Sequence, residues 1–289
     1  MNKFLYGNDV LTLTRYKNKN NVKYKLTCCN IQRISGYDVE DVVETVYLDD
    51  FGVCVVVDNI ENPFQTEKEY KRSLESLSRT KRIIFEYAMC NDWDYFCTFT
   101  LSKENGDRFD LSKFSKKFRV FINNYNRKLD NNIKYLLIPE KHKNGAWHMH
   151  GLISGLLDSD IKQFQLSDKL PMYLRSKIKQ GEFVGSWVSY ARKFGFNDIE
   201  FVRDHEKVSG YITKYITKDM LNSADYIGQH LYYSSHGLNK AQKVEKFDII
   251  KNFDYGFEND FCKIRWFDSE EELLQFIKIY NENVSIKYF

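Results

Sequence analysis

Two histidines separated by one residue are the feature of the sequence best suited to chemistry. His148 and His150 lie in the segment AWHMHGLI, whose apolar residues predict a strand. Successive side chains of a strand point to opposite faces, so both imidazoles lie on one face, with Trp147 and Met149 on the other. This spacing excludes the helical i, i+4 histidine pair of zinc proteases. Two neighbouring imidazoles can bind a divalent ion, and a nearby carboxylate would favour a hard ion such as Mg²⁺ or Mn²⁺.

Glu140 is the candidate carboxylate, and the length of the following turn decides whether it reaches the histidines. If the loop consists of residues 144–145 alone, Glu140 pairs with Met149 and faces away from both imidazoles. If the loop consists of residues 143–145, Glu140 pairs with His148 instead, and the opposed Cβ atoms lie about 5 Å apart.

Gly145 favours the longer loop, because a three-residue hairpin turn needs a left-handed residue at its last position. The metal-site hypothesis therefore predicts a bulged three-residue turn, with His142 on the same face and nearer the turn. The alternative is that His148 and His150 are partly buried strand residues that only form hydrogen bonds.

A pair of tyrosines is the second candidate for chemistry. In the segment GYITKYITKD, Tyr211 and Tyr215 are four residues apart, which places them on one face of a helix predicted over 208–220. Lys214 and Lys218 each follow a tyrosine by three residues. A phenol with a pKa of about 10 needs electrostatic assistance to attack at neutral pH, and a metal-bound phosphodiester would provide it. The alternative is a solvent-exposed face of tyrosine and lysine. A separate apolar stripe suited to packing on a sheet contains Val208, Ile212, Ile216 and Met220.

The order of predicted elements from Tyr95 onward is β-α-β-β-α-β-α, which favours an antiparallel sheet with helices on one side. The predicted strands cover 95–101, 133–142, 146–154 and 198–203, and the predicted helices cover 111–129, 171–179 and 208–220.

The helix over 111–129 is strongly basic, since residues 111–128 include no acidic side chain. A DNA backbone is one suitable partner for such a helix, and a solvated surface is the alternative. Its cations include Lys116, Lys117 and Arg119, which we identify as candidate DNA contacts.

The remaining sequence predicts an α+β protein in three segments. Residues 1–65 form a β-rich extension that includes a hairpin on either side of residues 49–52. Residues 66–240 form the core, beginning with a helix over 67–90, and residues 241–289 add a strand and a helix over 269–280.

Composition excludes several classes of protein. The 289 residues are 43% hydrophobic and 29% charged with a net charge of +3, a balance typical of a globular chain. Since there is no apolar run of about 18 residues and no signal peptide, we expect a cytoplasmic protein without a membrane segment. The six cysteines include no C-x-x-C pair, and the chain contains no P-loop motif.

These motifs together resemble the HUH endonucleases that initiate rolling-circle replication. WHMHG is similar to the paired-histidine motif, and EKHKNGAWHMH has the Glu-to-His spacing of geminivirus-type initiators. YFCTFTLS resembles the first motif, a strand that lines the single-stranded DNA site. YITKY resembles the two-tyrosine motif of initiators from isometric single-stranded DNA phages, and YITKD the one-tyrosine motif. The likeness covers about half the chain, from Tyr95 to Asn239.

The resemblance implies a ferredoxin-like core with the metal on its central hairpin and the tyrosine helix across it. It implies that Glu140, His148 and His150 bind Mg²⁺ or Mn²⁺. A tyrosine then attacks DNA to form a 5′-phosphotyrosine, with Lys214 and Lys218 contacting phosphate or offsetting the phenolate charge. Thr98, Thr100 and His142 become candidate DNA contacts.

The resemblance also implies partners and a setting. The substrate would be single-stranded DNA at a replication origin, in the bacterial cytoplasm, with the gene carried by a phage or small plasmid. A host helicase and a host DNA polymerase would act with the protein. Three alternatives stay open: a non-catalytic single-stranded DNA-binding protein, an HUH transposase, and a metal-dependent nuclease that uses water.

Overall fold

The computed structural model describes residues 2–35, 46–48, 54–56, 67–104, 108–216, 230–247, 255–258 and 262–280. The chain divides into two compact units. The first combines residues 1–91 with residues 239–289, and the second consists of residues 92–238. Along the chain, the second unit is therefore an insertion into the first.

The described strands and helices confirm the predicted α+β class. The strands are β1 (Asn2–Lys17), β2 (Val22–Ser35), β3 (Val46–Leu48), β4 (Cys54–Val56), β5 (Tyr95–Thr100), β6 (Lys134–Lys141), β7 (Trp147–Ser154), β8 (Ile161–Gln163), β9 (Gly185–Trp187), β10 (Asn197–Phe201), β11 (Tyr233–Ser234), β12 (Gln242–Phe247), β13 (Phe257–Glu258) and β14 (Cys262–Phe267). The helices are α1 (Glu67–Met89), α2 (Leu111–Leu129), α3 (Met172–Lys179), α4 (Val188–Lys193), α5 (His205–Thr213) and α6 (Glu270–Tyr280).

The first unit is built on a five-stranded antiparallel sheet of order β12-β1-β2-β14-β13. Strands from both ends of the chain thus share one sheet, although the sequence suggested two separate extensions. Helix α6 packs on one face through Leu273 and Phe276, which lie in a cluster with Leu13 and Tyr24. The predicted hairpin of β3 and β4 is confirmed as a separate two-stranded sheet.

Helix α1 belongs to this first unit, whereas the sequence analysis grouped it with the core. Its Phe85 and Met89 are buried with Tyr16, next to Trp266 on the last strand. Tyr16 and Tyr24 point to opposite faces of the sheet, because Tyr24 pairs with Arg15. Helices α1 and α6 therefore cover opposite faces.

The two chain crossings between the units are joined by a reciprocal pair of hydrogen bonds. The Asn91 side-chain amide donates to the Asn239 carbonyl at 3.0 Å, and the Asn239 backbone amide donates to Asn91 Oδ1 at 2.9 Å. Asn91 is buried, so these bonds satisfy polar groups that would otherwise be costly to bury. The chain thus leaves and re-enters the first unit at one place.

The second unit contains a seven-stranded antiparallel sheet of order β11-β6-β7-β5-β10-β9-β8. Helices α2 and α4 cover one of its faces with an aromatic core. Phe99 on β5 stacks on Tyr190 of α4 with ring centroids 4.5 Å apart, and it also packs on Phe118 of α2. Such contacts give each ring a large buried area, which anchors both helices to this face.

Gly151 on β7 shows how closely the central strands approach. A Cβ atom at this position would lie 2.0 Å from the backbone carbonyl oxygen of Leu136 on β6. Only glycine fits without moving one strand, which gives the last residue of the WHMHG motif a structural reason.

The helix predicted over 208–220 is shorter than expected, so that prediction is wrong at both ends. Helix α5 begins at His205, three residues earlier, because Asp204 caps it by accepting a bond from the Lys207 amide at 2.9 Å. It ends at Thr213, and residues 214–216 continue as a tighter turn with bonds to the carbonyls three residues back. Residues 217–220 lie outside the described residues. In the part of the chain that the structure describes, no helix is long and apolar enough to cross a membrane.

Candidate functional site

The face of the second sheet opposite α2 and α4 carries the predicted site. On three adjacent strands, pairing places Glu140 opposite His148, His148 opposite Thr100, and His150 opposite Thr98. The alternating residues Met149 and Phe99 point into the aromatic core on the other face. The strand period of two therefore concentrates the polar side chains on one surface.

The turn between β6 and β7 is the bulged three-residue turn predicted for a metal site. His142 and Ala146 close the hairpin through a 2.9 Å bond from the His142 amide, which leaves residues 143–145 as the loop. Gly145 has φ +83, the left-handed conformation that this turn requires. The pairing of Glu140 with His148 is thus confirmed.

Glu140 and His150 are the closest pair of potential ligands. Oε2 of Glu140 lies 2.7 Å from Nε2 of His150, yet this buried nitrogen makes no hydrogen bond. A short contact without a hydrogen bond suits two donors that face a common cation. Adjacent ligands of an octahedral ion with bonds of about 2.1 Å lie about 3 Å apart, close to the observed separation.

His148 does not converge with this pair. Its ring stacks on His142, with centroids 3.8 Å apart, and its centroid is 6.5 Å from that of His150. Within the described residues, no group of three His, Cys, Asp or Glu side chains is placed to hold an ion together. The donor types fit Mg²⁺ or Mn²⁺, but the placement shown brings only Glu140 and His150 into ligand distance of each other.

Both histidines are contacted by a threonine hydroxyl from β5. Thr98 Oγ1 lies 3.4 Å from Nδ1 of His150, and Thr100 Oγ1 lies 3.1 Å from Nδ1 of His148. In each ring the contact is at Nδ1, which leaves Nε2 for another partner. The threonines were predicted as DNA contacts, and the structure places them beneath the histidines.

The electrostatics keep the proposed ligands in their metal-binding forms. Contact with His150 is the largest cause of a lowered pKa at Glu140, with burial opposing it. Burial lowers the pKa of His148 from 6.5 to about 4, and repulsion from His142 and His150 adds to this. Metal ligation requires a neutral imidazole and an ionised carboxylate.

The lowered pKa of His148 predicts a loss of stability in acid. The unfolded chain takes up this proton at higher pH than the native protein, so the contribution is fully present above pH 6.5 and is lost as the pH falls through about 4. In metal-free protein, we expect the unfolding free energy to fall between about pH 7 and about pH 4, and to fall less in His148→Gln. Chemical denaturation at both pH values measures this, and equal losses in the two proteins would contradict it.

The two tyrosines lie on this same face, over the histidines. The ring of Tyr215 stacks on that of His150, with centroids 4.5 Å apart and planes 10° apart. The Tyr211 and Tyr215 hydroxyls share a 3.1 Å hydrogen bond, and Tyr211 packs edge-on against Phe96. Buried Ile212 and Ile216, from the predicted apolar stripe, alternate with these tyrosines along the turn.

The segment that carries this site also matches a known family. Residues 94–220 match the family model of the replication-associated protein ORF2. The match covers just under half of the chain, including every proposed ligand and both tyrosines. It is consistent with a rolling-circle replication initiator. No curated protein and no solved structure significantly matches the chain.

The match to this replication-associated family supports a role in replication initiation and makes DNA the expected partner. It also supports nuclease activity in general terms. The structure adds which side chains lie together on one surface.

The basic residues of α2 lie away from this surface. Helix α2 packs on the opposite face, and Lys116, Lys117 and Arg119 are exposed there. The structure therefore does not bring these three cations together with the histidines and tyrosines. Their predicted contact with DNA would involve a different side of the second unit.

The two lysines near the tyrosines have different standing in the structure. Lys214 is exposed, and its Nζ lies 5.8 Å from the centroid of the Tyr211 ring, which is a cation–π contact. Lys218 lies outside the described residues.

Asp198 is a site residue that sequence reasoning missed. It lies on β10 opposite Thr98, on the site face, and only 2% of it is exposed. Burial raises its pKa to about 6, with repulsion from Glu200 as the next cause. Its position in the strand gave the face, but only the pairing of β10 with β5 shows that this face is the one with the histidines.

Proposed function

We propose that this chain nicks and rejoins single-stranded DNA at a replication origin through a covalent 5′-phosphotyrosine, as HUH initiators of rolling-circle replication do. The observation that carries the proposal is the stacking of Tyr215 on His150, the residue that also contacts Glu140. A candidate nucleophile and candidate metal ligands thus lie within one small surface, inside the segment that matches the replication-associated family.

The strand order supports a ferredoxin-like core for this activity. The central strands follow the order β6-β7-β5-β10, and all neighbours are antiparallel. Numbered along the chain as one to four, they are ordered 2-3-1-4, with α2 between the first two strands. This arrangement is that of two interleaved β-α-β units.

Glu140, His148 and His150 are the residues that would hold Mg²⁺ or Mn²⁺. A bound divalent ion would polarise the scissile phosphodiester and offset the charge that develops on its oxygens. The unbonded Nε2 of His150 beside the Glu140 carboxylate is the structural sign of such a site.

In the proposed step, a phenolic oxygen attacks the phosphorus and the bond from phosphorus to the 3′ oxygen breaks. The phenol loses its proton, and the departing oxygen gains one to become a free 3′-OH. Burial and the hydrogen bond with Tyr211 raise the pKa of Tyr215, so its ionisation needs electrostatic help. Lys214, stacked over Tyr211, would offset phenolate charge or contact phosphate, and we propose the same role for Lys218.

The two tyrosines would alternate. Because their hydroxyls are 3.1 Å apart, both can approach one phosphate with little movement. The second phenol can then attack while the first still holds the DNA, and reversal by a 3′-OH rejoins the strand without ATP. A host helicase and a host DNA polymerase in a bacterial cytoplasm would supply unwinding and synthesis.

An adduct assay tests the proposal. Labelled single-stranded oligonucleotides that tile both strands of the DNA encoding the chain are incubated with the protein and Mn²⁺, then separated in SDS. We expect one oligonucleotide to yield a labelled protein that resists SDS and fails to form in EDTA. Peptide mass spectrometry should locate the DNA on Tyr211 or Tyr215.

Other outcomes would favour the alternatives. Cleavage without an adduct would mean that water is the nucleophile, as in a metal-dependent nuclease. Salt-sensitive binding without cleavage on any oligonucleotide would indicate a non-catalytic single-stranded DNA-binding protein.

A further inference from the structure

Asp198 is a buried carboxylate at the back of the proposed site, and it contacts hydroxyl groups. The Thr98 hydroxyl hydrogen-bonds its side chain, and the Tyr173 hydroxyl on α3 donates to its Oδ1 at 3.2 Å. Within the described residues, Asp198 forms no ion pair with lysine or arginine, since the nearby Lys177 pairs with Glu200 instead. A buried carboxylate is costly unless hydrogen bonds stabilise it, so these hydroxyls are held by a strong acceptor.

Thr98 lies between this carboxylate and the proposed ligand His150. Pairing aligns Asp198, Thr98 and His150 in one row across three strands, so their side chains point to the same face. Thr98 Oγ1 lies 3.4 Å from Nδ1 of His150. A hydroxyl that donates its one proton to Asp198 can only accept at its other contact, so Nδ1 of His150 must be the donor.

We propose that Asp198 is a positioning residue that acts through Thr98 to hold His150 in the tautomer protonated at Nδ1. In this tautomer Nε2 carries the lone pair, and Nε2 is the atom that faces Glu140 without a hydrogen bond. The relay extends the common carboxylate-to-histidine contact of metal sites by one hydroxyl. The inference rests on the proposed function only in taking His150 as a metal ligand.

The tautomer can be measured without metal or DNA. In protein labelled with ¹⁵N-histidine and held in EDTA at about pH 8, long-range ¹H–¹⁵N spectra distinguish the two nitrogens of each neutral ring. A His150→Gln spectrum assigns the His150 signals. We expect wild type to be protonated at Nδ1, and Thr98→Val and Asp198→Asn to shift His150 towards the Nε2-protonated form.

Glu200→Gln is the matched control, because Glu200 lies two residues along on the same strand and face and is held by Lys177. It removes the same charge without touching Thr98, so the tautomer should not change. Mn²⁺ affinity, measured by calorimetry, should fall about 10-fold in Asp198→Asn and Thr98→Val and stay constant in Glu200→Gln.

A wild-type His150 protonated at Nε2 would overturn the proposal, as would an Nδ1-protonated His150 that persists in folded Asp198→Asn and Thr98→Val. Unfolding curves identify any variant that fails to fold, and the second variant then decides. The tautomer result is independent of the adduct assay, so the relay and the nicking activity can fail separately.

Discussion

Replacing both Tyr211 and Tyr215 with phenylalanine should eliminate the covalent adduct and reduce DNA cleavage by on the order of 10³-fold or more, since the double variant lacks both nucleophiles. Each substitution removes one hydroxyl and keeps the ring, so the stacking on His150 and the contact with Phe96 are preserved. Any loss is therefore assignable to chemistry. Quantification of labelled DNA fragments and of adduct, on the oligonucleotide that wild type cleaves, measures it.

The single variants should differ. Tyr215 stacks on the proposed ligand His150, whereas Tyr211 is 46% exposed and further out. We expect Tyr215→Phe to slow the first cleavage at least about 10-fold more than Tyr211→Phe, because Tyr215 lies nearer the charge that assists attack. Tyr211→Phe should cleave but fail to complete the second transfer, so labelled adduct accumulates.

Tyr233→Phe is the matched control for loss of a phenol hydroxyl, since Tyr233 lies on the edge strand β11, opposite Leu137. Its cleavage should match wild type. Undiminished cleavage in the double variant would show that tyrosine is not the nucleophile.

Replacing His150 with glutamine should reduce metal-dependent cleavage by roughly 10²- to 10³-fold, the scale of removing one electrostatic stabiliser of a transition state. His150 has three contacts that the variant would lose: Glu140 at Nε2, Thr98 at Nδ1 and the Tyr215 ring. The change should therefore weaken Mn²⁺ binding and loosen the nucleophile together. Cleavage rates over a Mn²⁺ titration separate the two, because excess metal restores only the first.

His142→Gln provides the comparison for this variant. His142 lies at the same end of the hairpin and stacks on His148, but it is not one of the proposed ligands. We expect less than about a 5-fold change in rate, as for a residue that acts only through another. Equal losses in the two variants would indicate that the histidines form one packed stack without a special role for His150.

The site hairpin was predictable from local rules. The strand period places His148 and His150 on one face, and the need for a left-handed residue at Gly145 selects the three-residue loop that brings Glu140 into register. Tyrosine spacing was equally local, since Tyr211 and Tyr215 remain neighbours although α5 ends between them. The tight turn at 214–216 keeps a near-helical path, which is why the wrong helix boundary left this prediction intact.

Long-range strand pairing could not be predicted in this way. The sequence marks 1–65 and 241–289 as β-rich or strand-bearing, but it does not show that β1, β2, β12 and β14 form one sheet. Pairing between strands far apart in the chain depends on which edges meet, and many pairings satisfy the same alternation of side chains. The grouping of α1 with this sheet has the same origin, since an apolar helix face fits more than one core.

By itself the sequence determined the chemical groups of this protein and their local geometry: two histidines and a glutamate on one hairpin face, and two phenols one turn apart. Those relations span few residues, so backbone periodicity and turn stereochemistry fix them. Only the tertiary structure decided that Tyr215 lies over His150, that Asp198 lies behind it, and that the basic helix α2 covers the other face. Each of these depends on which face of which element meets another across the sheet. The packing of the whole aromatic core decides that, and no local pattern records it.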